Sequence, residues 1–248
     1  MEEITSVNNQ LVKETAKLHQ KKYRDDADKF ILEGYKAVEE AVRFGVDVEY
    51  IFINSEKIDE YNFYTGRKIL TNEAVLKKIS DTESAPGVVG VARQKHYKKS
   101  DFKNLKKIML LEGIKDSGNL GTIIRTACAF NIDGIVLFGN CTDVYNPKCV
   151  RSAVGNLWKI PIIYFHSIKD LEDLFTDYQR IATLPLAKNT LKNFKSKEKF
   201  LVMFGSEADG LSVDLKNYAT ESVKIEMNDN VESLNLAVSC AIVMYWLS

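Results

Sequence analysis

The 248-residue chain has little glycine (13), proline (4) or cysteine (4), and no internal repeat or low-complexity tract. That composition excludes collagen-like, disordered and disulfide-stapled proteins. Cys128, Cys141, Cys149 and Cys240 form no CxxC, and His19, His96 and His166 lie far apart. No metal site is therefore expected, and scattered reduced thiols suit the cytoplasm. Neither sign of charge is in excess: 34 Lys and Arg face 34 Asp and Glu. No global positive field draws the chain to nucleic acid, so any such binding needs a local patch. The first residues, MEEITSVNNQ, lack the basic and apolar regions of a secretory signal. The longest apolar stretch, near the C-terminus, is interrupted by Ser239 at too short a length to span a bilayer. The expectation is a soluble cytoplasmic protein with no membrane partner.

The length fits one large domain or two modest ones. The polar, basic stretch His96–Lys107 is the best boundary, giving a domain over 1–97, a linker over 98–107 and a domain over 108–248. In the first part the pattern predicts a helix over Asn8–Arg24, with Lys13, Lys17 and Lys21 on one stripe. Further helices are predicted over Tyr35–Phe44 and Asn72–Ile79, and strands over Phe30–Leu32, Val48–Ile53 and Gly87–Ala92. This is a small α/β module.

The second part predicts strands over Ile108–Glu112, Gly134–Phe138, Ile162–Phe165, Arg180–Leu184, Phe200–Phe204 and Ser222–Met227. Between or after them come helical patterns over Asn119–Phe130, Pro147–Trp158, Ile168–Tyr178, Val213–Ala219 and Val231–Leu247. Unbroken apolar runs such as IMLLE and IVLF belong to a parallel sheet covered on both faces. Ligands bind such sheets at the carboxyl ends of the strands. No GxxxxGK[ST] is present, and Gly118-Asn-Leu-Gly121 lacks the third glycine of a dinucleotide turn.

Three clusters fall at the predicted strand ends: Asn119-Leu-Gly-Thr-Ile-Ile-Arg125, Gly205-Ser-Glu-Ala-Asp-Gly-Leu211, and Ile225-Glu-Met-Asn-Asp-Asn-Val-Glu-Ser-Leu-Asn235. Taken singly, Glu207 reads as a loop acid, Arg125 as a surface cation, and Asn119, Ser233 and Asn235 as helix caps. Their order and spacing make a more specific pattern. N-x-G-x-x-x-R, G-x-E-x-x-G-L and I-x-M-x(5)-S-L-N-x-A resemble the three motifs of the SpoU/TrmH family. These are S-adenosylmethionine-dependent RNA ribose 2′-O-methyltransferases. Arg151-Ser-Ala-Val-Gly155 resembles the family's segment between the first two motifs. SVNN and FILEGYKAVEEAV resemble the substrate-binding domain, similar to a small ribosomal protein, that many members carry.

The resemblance implies an α/β fold in which a C-terminal knotted (trefoil) parallel-sheet methyltransferase domain follows a small ribosomal-protein-like α/β domain. It implies methylation of a ribose 2′-hydroxyl, with large-subunit ribosomal RNA favoured. Transfer RNA, or a non-catalytic RNA-binding role, are the alternatives. By the same resemblance Asn119, Arg125, Glu207, Ser233 and Asn235 form the catalytic site. Leu184, Gly205, Ile225, Met227 and Leu234 would hold S-adenosylmethionine. Lys13, Lys17, Lys21, Arg24 and Arg151 are candidate RNA contacts, as is the Lys95–Lys107 linker. A terminal helix apolar almost all round suits packing against a second subunit in a homodimer, with a central core helix in a monomer as the alternative. Two departures stand out: Ser117 and Glu226 occupy positions where the family usually has proline.

Overall fold

Short polar residues begin the helices and unbroken apolar runs build the strands in the computed structural model, which describes residues 2–82, 84–228 and 230–248. The elements run β1 (Glu2–Glu3), α1 (Gln10–Lys17), α2 (Lys21–Ala27), β2 (Lys29–Glu33), α3 (Tyr35–Arg43), β3 (Val48–Asn54), β4 (Arg67–Thr71), α4 (Glu73–Ile79) and β5 (Val88–Arg93). They continue as β6 (Lys107–Glu112), α5 (Ser117–Ala129), β7 (Gly134–Phe138), α6 (Pro147–Ala153), β8 (Ile162–Phe165), α7 (Ile168–Phe175) and β9 (Gln179–Thr183). The last are β10 (Asn189–Thr190), β11 (Phe200–Phe204), α8 (Val213–Tyr218), β12 (Glu221–Lys224) and α9 (Leu236–Leu247). Asn9, Asn72, Asp116, Asn146, Ser167, Ser212 and Asn235 each accept a backbone N–H at a helix start.

The chain up to Lys95, together with Asp143–Trp158, forms one unit; His96–Thr142 and Lys159–Ser248 form the other. The first unit carries a mixed sheet in the order β1-β4-β3-β5-β2, with β5 antiparallel to both neighbours. Val12, Ile31, Phe52, Ile69, Val75 and Val89 lie in its core. The sequence reading missed β4. Its Arg-Lys-Ile-Leu-Thr pattern is weak, and parallel pairing with β3 defines it instead. The second unit carries a seven-stranded, all-parallel sheet, β10-β12-β9-β11-β6-β7-β8. Its middle strands are apolar on both faces, as a sheet covered on two sides requires.

The single helix expected over Asn8–Arg24 is two. The cause is Arg24, which is buried at 2% exposure and donates from Nη1 to the carbonyls of Leu18 and His19, each at 2.8 Å. Those carbonyls are the ones left without partners where α1 stops. The guanidinium also grips Asp143, at 3.0 Å from Nε and 2.6 Å from Nη2. Arg24 is therefore a structural residue and no RNA contact.

The segment Asp143–Trp158 falls within the second domain on linear reading, yet it packs into the first unit. Besides the Arg24–Asp143 pair, Tyr145 and Trp158 flank Phe30 at ring-centroid distances of 4.6 and 6.5 Å. Helix α6 lies against β2 and ends at Ala153, because Val154 and Gly155 adopt positive φ. That stops the helix short of the expected Trp158. Arg151 is held by Glu33 and Asp81, each at 3.2 Å.

Arg24→Met should lower unfolding free energy by about 3 kcal/mol, since it strands the Asp143 carboxylate and two carbonyls. Urea denaturation measures this; a loss below about 1 kcal/mol would show the pair to be no stronger than a surface bridge.

Candidate active site

An all-parallel sheet delivers every strand exit to one edge, and four exits lie side by side in the order β12, β9, β11 and β6. β6 leaves through Gly113 at φ +65°, whose N–H donates to the Phe138 carbonyl at 3.0 Å. Asp116 then caps α5 by accepting the Asn119 N–H at 2.7 Å. The helix starts at Ser117, so Asn119 is its third residue and not the cap anticipated from sequence.

β11 leaves through Gly205 into a loop that closes on itself. A Cβ at Gly205 would lie 1.9 Å from the carbonyl carbon of Gly210, so only glycine fits. The Gly210 N–H donates to the Ser206 carbonyl at 3.1 Å, and Gly210 takes φ +65°. Glu112, at the end of β6, accepts the Ser212 N–H at 2.7 Å and ties the far end of this loop to the neighbouring strand. Sequence reasoning had no signal for that role, because a carboxylate at a strand end looks like any surface acid.

β9 ends at Thr183, and the Leu184 N–H donates to the Val223 carbonyl of β12 at 3.0 Å. β12 stops at Lys224, earlier than expected, leaving Ile225 and Met227 in the loop beyond it. Leu184, Gly205, Ile225, Met227 and Leu234 are each partly buried. Among the described residues, the backbone N–H groups of Gly205, Ile225, Met227 and Leu234 make no hydrogen bond. Unpaired donors beside partly covered apolar side chains suit a flat heterocycle with acceptor edges.

The final helix starts at Leu236, five residues later than expected. Asn235 caps it, accepting from the N–H groups of Ala237 and Val238 at 2.9 and 3.3 Å. Ser233 lies before it in the loop, exposed. From the cap, Asn235 Nδ2 donates to Asn119 Oδ1 at 3.1 Å, and Asn119 Nδ2 donates to Glu207 Oε1 at 2.9 Å. The polarity of this chain is set at both ends. Helix amides can only donate to Asn235, and an ionised carboxylate can only accept from Asn119. Both asparagine amides are thereby oriented.

Arg125 lies two turns along α5, exposed and with no hydrogen bond or ion pair among the described residues. The hydrogen-bond chain thus unites Asn119, Glu207 and Asn235, and includes neither Arg125 nor Ser233. Burial first, and then the Glu207 carboxylate, push the Cys240 thiol well above its ordinary range. Burial also raises the Cys141 thiol, partly offset by backbone N–H groups. Neither sulfur is a thiolate nucleophile at neutral pH.

Comparison with known proteins agrees with this geometry. Residues 106–245 match the SpoU rRNA Methylase family, and residues 9–90 match the MRM3-like substrate binding domain. An uncharacterised tRNA/rRNA methyltransferase of Synechocystis is 33% identical over 98% of this chain and 92% of its own. The 23S rRNA (guanosine(2553)-2′-O)-methyltransferase of Bacillus subtilis is 29% identical over 100% and 99%. An AdoMet-bound rRNA methyltransferase from Sinorhizobium meliloti superposes with a TM-score of 0.89 at 28% identity, over 99% of this chain and 96% of that one. With its three motif loops gathered at one sheet edge and the family match covering more than half of its length, the chain belongs to the SpoU rRNA methylase family.

Proposed function

We propose that this protein transfers the methyl group of S-adenosylmethionine to a ribose 2′-hydroxyl of ribosomal RNA. The observation that carries the reading is the Glu207–Asn119–Asn235 chain, assembled from the three motif loops beside the open backbone donors of Gly205, Ile225, Met227 and Leu234. Those donors, with the side chains of Leu184, Ile225, Met227 and Leu234, fit an adenosine. When bound, S-adenosylmethionine supplies an electrophilic methyl on a sulfonium. Asn119, Glu207 and Asn235 hold the motif loops in register, and Ser233 offers an exposed hydroxyl in the third. Arg125 carries a permanent charge that cannot act as a base. It fixes a neighbouring RNA phosphate and stabilises negative charge developing on the ribose oxygen, while the hydroxyl proton leaves to water.

Ribosomal RNA is favoured over transfer RNA because the substrate named for the Bacillus subtilis relative is 23S rRNA, and that relative aligns over the whole chain. The family's trefoil knot goes with this reading, supported by the likeness to the AdoMet-bound rRNA methyltransferase from Sinorhizobium meliloti over 99% of this chain. The four free cysteines support a cytoplasmic location.

For RNA the first unit offers a groove of about 530 Å³ lined by Val7, Asn8, Lys13, Ala74, Lys77 and Lys78, with no acid in its wall. Of the expected lysine stripe, Lys17 sits over the Tyr23 ring and Lys21 pairs with Asp25. Lys13 instead faces the lysines of α4. In the linker, Lys99 pairs with Asp170 and Asp173, and Lys106 pairs with Glu198. The Lys13–Lys77–Lys78 groove is the better phosphate contact.

Helix α9 buries Leu236, Cys240, Val243, Met244 and Leu247, and exposes Val238, Ile242 and Tyr245 at helical spacing. A second copy of the chain is the partner proposed for this stripe.

Mapping 2′-O-methyl positions in ribosomal RNA incubated with the protein and S-adenosylmethionine should reveal one new site; no modified ribose would end the proposal. Arg125→Ala should cut the rate at least about 100-fold while calorimetry finds cofactor affinity unchanged. Lost cofactor binding would move Arg125 into the cofactor site.

Changing Lys13 and Lys78 together to Glu should weaken RNA binding and lower the slope of log K against log salt by about 1.5. An unaltered slope removes the groove from the interface.

Sedimentation velocity should give a dimer for the wild type and a monomer for the pair Ile242→Glu and Tyr245→Glu. A dimer that survives both changes uses another face.

A further inference from the structure

We infer that a part-buried pair of hydroxyls, Ser117 and Thr142, is a positioning element of the methyl-transfer site, holding the start of α5 so that Asn119 and Arg125 are presented correctly. The inference rests on the methyltransferase reading. Ser117 Oγ and Thr142 Oγ1 share a hydrogen bond of 2.8 Å, and Ser117 is only 9% exposed. Neither hydroxyl has another partner among the hydrogen bonds of the described residues.

Thr142 makes a firm post. Its N–H donates to the Ile114 carbonyl at 2.7 Å, and its carbonyl accepts from the Tyr164 hydroxyl at 3.2 Å. Two residues earlier, the Asn140 carbonyl accepts from Lys115 Nζ at 2.7 Å. The exit loop of β7 is thus bound to the exit loop of β6 at three points, and the hydroxyl pair is the one that reaches the helix itself.

Ser117 is the first residue of α5, where proline would fix φ by its ring. Serine imposes no such limit. The hydroxyl bond restrains by hydrogen bonding what a ring would restrain covalently. Asp116 already has φ −79° and ψ 116°, a conformation that a following proline accepts, and the Ser117 N–H donates no hydrogen bond among the described residues. Ser117 precedes Asn119, the middle member of the amide chain, by two residues. A displaced helix start would therefore carry both Asn119 and Arg125 out of place, and small misplacements of reacting groups are costly in rate.

Thr142→Val removes the hydroxyl and keeps the shape. In this variant kcat should fall about tenfold, with cofactor Kd, RNA KM and Tm close to wild type. Amide hydrogen exchange across residues 118–122 should quicken about fivefold, the worth of one hydrogen bond. Thr142→Ser, which keeps the hydroxyl, should match the wild type. Adding Ser117→Pro to Thr142→Val should restore both kcat and slow exchange to within about twofold. Unchanged kcat and exchange in Thr142→Val, or a loss that Ser117→Pro fails to recover, overturns the inference. A wild-type chain without methyl transfer overturns the methyltransferase reading, whereas the exchange measurements test the hydroxyl pair without any turnover.

Discussion

Two asparagine amides, strung between a carboxylate and a helix N-terminus, hold the functional edge of this molecule together. Asn119, near the start of α5, lies 88 residues before Glu207 and 116 before Asn235, yet each has one donor–acceptor arrangement available. Helix amides at one end and a carboxylate at the other leave neither asparagine free to flip. The parallel sheet makes the meeting possible by sending every exit to the same side. Gly205 makes it permanent, because no larger residue fits where that loop turns back. The open backbone donors proposed to face the cofactor then need no side chain of their own to define them.

The central strands of the second unit were legible because they are buried on both faces, and the edge strand β8 because its apolar run is short and unbroken. Gly134–Phe138, Ile162–Phe165 and Phe200–Phe204 match the sequence reading residue for residue. What could not be read was tertiary. The break after α1 depends on a guanidinium that reaches back to Leu18 and His19. The late start of α9 depends on Asn235 being engaged by Asn119 across the sheet edge. Arg24 had looked like the end of a basic stripe, since sequence distinguishes a buried cation from a solvated one only through its partner. Asp143 is 119 residues away.

The same limitation governs the charges. A chain with equal numbers of acids and bases gives no hint of which cations are already neutralised. Arg24, Lys29, Arg93, Lys99, Lys106 and Arg151 all face carboxylates of their own unit. Lys13 and Lys78 have no ion pair among the described residues, and they are neighbours because α1 packs on α4. Electrostatic character here comes from subtraction, which composition cannot perform.

The excursion of Asp143–Trp158 into the first unit constrains how the molecule can be taken apart. Cutting the chain anywhere in His96–Lys107 would separate Arg24 from its counter-ion and Phe30 from both of its aromatic neighbours. The excised N-terminal fragment would then carry an uncompensated guanidinium in its interior. Nature's two-part arrangement is thus interleaved: the half expected to handle RNA borrows a piece of polypeptide from the half expected to do chemistry, and neither gene half encodes a finished object.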